Sequence, residues 1–406
     1  MAAIAAMAQS ADDPVIFTGM DAAISKHSAA SSGYNRDPFI PFFVDVRRRQ
    51  LRRAPLINRG YFARTQAVDQ LVINFLKSVV KAPANKATAA MTMSVILGDS
   101  GSKCPNSNGR SGGITMKQFA NANRQDQASM YDADVSPSSP DHFTSGEGSR
   151  LASGTQAQIV TLGAGNDTLF FRLRTDYPDL SNNLTIFETD FPSVIARKQQ
   201  LVASHPCMKS LAVTDIGAAD GNISPDAKTQ RYHSFGSDLR DIDAVAAGLA
   251  SCGFNPDLPT LFLSECVLIY LDTEYSNALI RWAANTVNQG VFITYEQILP
   301  FDAFGAMMVR NIAARGCPLR SITNYPTLAS LKARYEALGW TETCVRDMND
   351  VYYNFLHKDE VKRIEKLEIF DELEEWHLIQ GHYCITVAIK VGSAVSMENM
   401  GYSNIV

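Results

Sequence analysis

The sequence has no Cys-x-x-Cys pair, and its seven cysteines (Cys104, Cys207, Cys252, Cys266, Cys317, Cys344 and Cys384) are widely scattered. An odd, dispersed set speaks against a disulfide framework and for reduced thiols, so the expected setting is cytoplasmic, with the nucleus as a second compartment. The seven histidines form no His-x-His or His-x-x-x-His cluster, and no metal site is expected. Basic residues are not in excess. With 37 Lys and Arg against 42 Asp and Glu, the net charge of −5 gives no reason to expect nucleic acid as the main partner. No apolar run approaches the roughly 20 residues of a membrane span. The alanine-rich start, residues 1–13, lacks the basic region of a signal peptide. What is present is a 406-residue chain, 46% hydrophobic, of ordinary composition for a globular protein with a substantial core.

Three textures follow one another. Residues 14–82 read as mainly helical, with Val68, Leu71, Val72, Phe75, Leu76 and Val79 at the spacing of one buried stripe and Pro83 as its stop. Residues 83–157 are dominated by Ser, Gly, Asn, Asp and Pro and cannot bury enough apolar area to offset chain entropy, so a disordered insertion is expected. From 158 onward, β-rich runs at 158–162, 184–188, 231–235, 260–265, 291–296, 341–345 and 382–391 alternate with helical patterns such as Ile242, Val245, Ala246 and Leu249. That alternation predicts an α/β fold, a mainly parallel sheet with helices on both faces, its last two strands forming an antiparallel edge.

The most informative stretch is Ile159-Val160-Thr161-Leu162-Gly163-Ala164-Gly165-Asn166-Asp167-Thr168. An apolar strand runs into a Gly-x-Gly turn, where glycines let the backbone take positive φ and approach a ligand closely. Thr168 stands where the dinucleotide fingerprint has its third glycine. This argues against a pyrophosphate and favours a cofactor with adenosine but no phosphates, such as S-adenosylmethionine.

Ligands of such sheets gather at the C-terminal ends of the strands, which gives weight to acidic residues there. Asp190 follows the turn by about 25 positions, near the spacing of a ribose-binding carboxylate; a helix cap before Pro192 is the alternative. Glu188 is its rival, and strand alternation is expected to turn only one of the two toward the ligand. Asp238 is placed to accept from an adenine amino group, whereas Asp241 reads as a cap. Glu265 interrupts an apolar run, and a buried carboxylate requires a cationic or hydrogen-bonding partner, either a cofactor pole or a structural arginine.

Several segments together resemble the leucine carboxyl methyltransferases: Asn58-Arg59-Gly60-Tyr61-Phe62-Ala63-Arg64, Leu162 to Thr168, Phe187 to Pro192, Asp238-Leu239-Arg240-Asp241 and Glu265 to Tyr270. Arg281 to Asn285, Tyr295-Glu296-Gln297, Asp302 to Gly305 and Phe370 to Glu374 add to the likeness. The resemblance implies a Rossmann-like class I S-adenosylmethionine-dependent methyltransferase with a seven-stranded sheet. It implies one domain over 1–395: a helical cap (14–82), the insertion (83–157) and a cofactor-binding core (158–395). The implied reaction is methyl esterification of the C-terminal leucine carboxylate of the type 2A protein phosphatase catalytic subunit, by a monomer. Carried over by residue, Lys26 and Arg64 hold the cofactor's carboxylate end and Gly163 approaches its backbone. Asp190 takes the ribose, Asp238 and Leu239 meet the adenine, Glu265 meets the amino end, and Tyr270 lies near the transferring methyl; Arg64 and Tyr270 are the catalytic candidates. The related tRNA wybutosine carboxyl methyltransferase, and a silent fold that only binds the phosphatase tail, are the alternatives.

An α-carboxylate, with an ordinary pKa of about 3.3–3.7, is already a nucleophile at neutral pH, so no general base is required. Two charge runs complete the reading. Arg47-Arg48-Arg49-Gln50-Leu51-Arg52-Arg53 reads as a solvated helix face, a partner-binding surface or a nuclear-import signal. The acidic run from Glu368 to Glu375 reads as an exposed helix face with Leu367, Phe370 and Leu373 turned inward.

Overall fold

The computed structural model describes residues 12–44, 52–81, 156–212, 231–390 and 395–402. The expected insertion at 83–157 lies outside them except for its last two positions, and so does Pro83. At the N-terminal side, α1 (Asp13–Ser31) and α2 (Pro55–Lys81) flank a short 3-10 turn, Ile40–Phe43. The helical expectation for 14–82 therefore holds for two helices with an irregular link between them. The core then alternates: β1 (Ala157–Leu162), α3 (Leu169–Asp176), α4 (Pro178–Ser181), β2 (Leu184–Asp190), α5 (Pro192–Ser204), α6 (Pro206–Ala212) and β3 (Tyr232–Gly236). It continues with α7 (Ile242–Ser251), β4 (Thr260–Glu265), α8 (Thr273–Thr286), β5 (Gly290–Gln297), α9 (Ala303–Ala314) and α10 (Leu328–Ala337). The last part comprises β6 (Glu342–Asp347), α11 (Met348–Asp350), α12 (Lys358–Ile364), α13 (Leu373–Gly381) and β7 (Tyr383–Ile389).

The seven strands lie in the order β3-β2-β1-β4-β5-β7-β6. β1 to β5 are parallel, and β7 runs antiparallel between β5 and β6. Period-two alternation sorts the strand residues onto two cores. Ile159, Leu261, Leu263, Val291 and Ile293 face one side, where they meet Val68, Leu71, Phe75 and Val79 of α2 and Trp376 of α13. Val160, Leu162, Phe262 and Phe292 face the other, against Val245 of α7, Leu279 of α8, Tyr335 of α10 and Trp340. All six residues of the α2 stripe are buried, each stabilising the fold by about 1.5–3 kcal/mol. No described helix is long and apolar enough to cross a membrane.

Two charged segments depart from the sequence expectation. The acidic run does not form one helix face: α13 begins only at Leu373, and the residues before it are irregular. Ring contacts explain why. Phe370 is drawn inward by the Arg59 guanidinium 3.8 Å above its ring, whereas Leu367 and Leu373 stay exposed. Glu368 is tied down by Arg52 (2.6 Å) and Asn58 (3.3 Å). In the basic run, residues 47–51 lie outside the described residues. Arg52 and Arg53 sit in the irregular segment before α2, paired with Glu368 and Asp21.

Candidate active site

The strand order reverses between β1 and β4, and a cavity of about 1510 Å³ opens beyond their C-terminal ends. β1 ends in Gly163 and Gly165, both in the left-handed region, with φ of 73° and 50°. A Cβ on Gly163 would stand 2.5 Å from Val267 Cγ2, so no larger residue fits there without displacing that neighbour. The turn is locked to β2, because Gly163 and Ala164 donate their N–H groups to the Thr189 carbonyl at 2.8 and 3.1 Å. Thr168, in the third glycine's place, directs its hydroxyl to Asp37 (2.6 Å), outside the cavity lining.

Asp190 closes the same turn. One carboxylate oxygen accepts from Gly165 N–H and the other from Phe191 N–H, each at 2.7 Å. It is not the cap of α5, whose N-cap is Phe191. Burial raises its carboxyl above the ordinary value, against the pull of those two N–H groups. Lone pairs remain for a ligand on the cavity side. Alternation does not separate Asp190 from Glu188, since residues two apart leave a strand on the same face. Depth does. Glu188 is buried on Lys198 (2.6 Å) and the Tyr232 hydroxyl (2.6 Å), while Asp190, at the strand end, reaches the cavity.

Beyond β3, Asp238 and Leu239 line the cavity and Asp241 caps α7 through Ala244 N–H. Arg240 grips Asp238 with its side chain at 2.6–3.0 Å and reaches Asp12 at the start of α1 (2.8 Å). Against the cost of its partial burial, those bonds hold the Asp238 carboxyl below its ordinary range.

At the end of β4, Glu265 meets Arg64 of α2, with Nε 2.5 Å from its carboxylate. Desolvation opposes the charge on both and is overridden: Lys26 and then Arg64 hold Glu265 low, and Glu265 holds Arg64 well above its usual value. Arg64 also lies over the rings of Tyr295 (4.7 Å) and Tyr61 (5.7 Å), and Tyr295 stacks on Tyr383 (5.3 Å). Cys266 follows at φ 55°, held there by its N–H to the Tyr295 carbonyl at 2.7 Å. The 3-10 turn Leu268–Tyr270 then brings Tyr270 to the cavity. Among the described residues no group of His, Cys, Asp and Glu is arranged to hold a metal.

Residues 142–284 match the family model for leucine carboxyl methyltransferase. The chain is 33% identical to the leucine carboxyl methyltransferase 1 homolog of Arabidopsis thaliana, over 92% of this chain and 88% of that protein. It is 31% identical to leucine carboxyl methyltransferase 1 of Bos taurus, over 96% and 94% of the two. The chain belongs to the leucine carboxyl methyltransferase family. It is also 32% identical to tRNA wybutosine-synthesizing protein 4 of Homo sapiens, over 91% of this chain but 43% of that protein. This family member is an S-adenosylmethionine-dependent methyltransferase.

The residues present fit that cofactor. Asp190 offers free acceptor capacity beside a turn where only glycine is tolerated, and the Arg64–Glu265 pair presents both signs of charge to a zwitterionic end. Lys26 stands apart. It does not line the cavity, and its ammonium bridges Asp167 (3.2 Å) and Glu265 (3.8 Å), which hold it protonated above its ordinary range against desolvation.

One residue of this methyltransferase was legible only as part of a motif. Glu296 of β5 is buried behind the site and accepts from Ile269 N–H at 2.9 Å, anchoring the turn that carries Tyr270. Burial pushes its carboxyl up to about 7, against the Arg334 charge and the N–H groups of Ile269, Leu268 and Val267. The folded protein thus keeps a proton that the unfolded chain has released above about pH 4.5, and its stability falls as pH rises from there to 7. At about 1.36 kcal/mol per unit, the loss from pH 5 to 8 is roughly 3 kcal/mol. Glu296→Gln is expected to remove this share of the pH dependence in denaturant unfolding; an unchanged pH 5-to-8 difference refutes the assignment.

Proposed function

We propose that this methyltransferase esterifies the C-terminal leucine α-carboxylate of the type 2A protein phosphatase catalytic subunit. The observation that carries the reading is the protonation state of the cavity wall around Arg64. Burial raises the hydroxyls of Tyr61, Tyr270, Tyr295 and Tyr383 above their ordinary range and pushes the Cys266 thiol up to about 12. All five are therefore neutral at pH 7, and none of these five groups can act as a general base there. An alcohol or amine acceptor needs a base; an α-carboxylate arrives ionised and does not.

In this reading Asp190 binds the ribose, Asp238 and Leu239 the adenine, and Gly163 brings backbone against the cofactor. Glu265 meets the ammonium end and Arg64 the carboxylate end, with Lys26 holding Glu265 in place. Bound S-adenosylmethionine supplies a methyl group activated by its sulfonium. The chain's own work is alignment and exclusion of water, and orientation of this kind lowers a barrier by roughly 7–11 kcal/mol. Tyr270, on a turn anchored by Glu296, bounds the space where the carboxylate and methyl meet. The Arg64 cation is already neutralised by Glu265, which suits a nucleophile that loses its charge during transfer: a stronger grip on the carboxylate would favour the ground state.

The identity to the tRNA wybutosine relative favours a second reading, methylation of a carboxylate on tRNA. The net charge of −5 weighs against it, because tRNA affinity rests largely on phosphate neutralisation. Labelled methyl transfer decides. The expected result is base-labile label on the purified phosphatase catalytic subunit, lost when its terminal leucine is deleted. Label on tRNA alone establishes the second reading, and cofactor binding without transfer to either substrate establishes a silent binder.

A further inference from the structure

Gln297, at the end of β5, and Gln380, near the end of α13, both line the cavity. They are 4% and 2% exposed, and the side-chain carbonyl oxygen of each is buried without a hydrogen-bond partner. Native interiors rarely keep such an oxygen unpaired, so each calls for a donor.

Their neighbours place them around Arg64. Gln297 is the direct cross-strand partner of Tyr383 and hydrogen-bonds its side chain, while its amide oxygen has no partner. Gln380 precedes Tyr383 by three residues, and its Nε2 lies 3.7 Å from where a Cβ on Gly60 would stand. Gly60 is one helical turn before Arg64 on α2, and Arg64 covers the Tyr295 ring that stacks on Tyr383. A carbonyl oxygen can only accept, so each requires an N–H or O–H donor. A peptide terminus carries such donors at fixed spacing from its carboxylate: the backbone N–H of its last residue, then that of the residue before.

We infer that Gln297 and Gln380 form a peptide subsite, their amide oxygens accepting the last backbone N–H groups of the substrate tail. The inference rests on the proposed carboxylate acceptor and deepens it: the enzyme reads the main chain of the tail as well as its terminus.

The test uses semisynthetic phosphatase catalytic subunits. In one, the terminal leucine is replaced by its α-hydroxy acid, so the last amide becomes an ester and one N–H is lost while carboxylate and side chain remain. In another, the ester lies one bond earlier. The wild-type enzyme is expected to methylate at least one of them with kcat/KM about tenfold below the all-amide tail, the scale of one hydrogen bond. Gln297→Ala and Gln380→Ala are each expected to lose about tenfold on the all-amide tail, with no further loss on the ester tail that lacks their donor. Unchanged cofactor affinity by calorimetry reports that both variants are folded, and the wild-type comparison needs neither. Equal turnover of all three tails by the wild type, or variant losses that simply add to the ester losses, overturns the subsite and leaves the proposed activity standing. No methyl ester on any tail overturns both.

Discussion

Arg64→Ala is expected to reduce methyl transfer by about 10²-fold or more, the range seen when one preorganised hydrogen-bond donor is removed from an active site. The loss has two sources. Arg64 makes the closest contact to Glu265, and both side chains are little exposed (11% and 13%), so its removal leaves Glu265 with Lys26 alone at 3.8 Å. Breaking a buried pair from one side costs about 3–5 kcal/mol; Lys26 offsets part of this, and a stability loss of about 2 kcal/mol is expected. From sequence, Arg64 reads as a cofactor-binding and catalytic residue. The structure adds the stability cost, because the guanidinium also covers Tyr295 and Tyr61. Arg64→Lys is expected to rescue poorly, since an ammonium lacks the planar fork that reaches both the carboxylate and the main-chain carbonyl of Glu265. Steady-state kinetics and denaturant unfolding measure the two losses; an Arg64→Ala enzyme of near wild-type activity removes Arg64 from the site.

Asp190→Ala is expected to weaken cofactor binding by about 10²-fold or more. The carboxylate organises the Gly-x-Gly turn through Gly165 N–H and orients Phe191 N–H, and hydrogen bonds to charged groups contribute about 1.5–3 kcal/mol each. Its removal disorders the turn as well as deleting the ribose acceptor. Asp190→Asn keeps one acceptor oxygen and is expected to retain part of the affinity. Calorimetry gives the isotherm directly, and an unchanged one dissociates Asp190 from the cofactor.

Strand and turn chemistry made much of this architecture readable. The seven β-rich runs fall within two residues of the observed strands at every end, and the central ones are short apolar blocks beside Gly, Pro, Asn or Asp. The α2 stripe is equally plain, since a 3.6-residue period has one buried face. Charged segments were harder. Nothing local separates Glu188 from Asp190; what does is Lys198 on α5, fully buried beneath the sheet end. The acidic run was misread because its apolar residues fit a helix period. Arg59, distant in sequence, selects Phe370 and leaves Leu367 and Leu373 outside. Gln380 had no signal at all, for a lone glutamine near a helix end acquires meaning only when α2 and β7 are packed beside it.

Local backbone and side-chain preferences thus settled the elements, the glycine turn, and the residue types a nucleotide-like cofactor requires. Those depend on neighbours within a few positions, whose periodicity and φ limits are written into the chain. Pairing of polar groups was settled by folding: Glu265 with Arg64, Arg240 with Asp12, the turn of Tyr270 with Glu296. Partners of this kind come from elements far apart in sequence, and a buried charge is stable only against a group that the fold itself delivers.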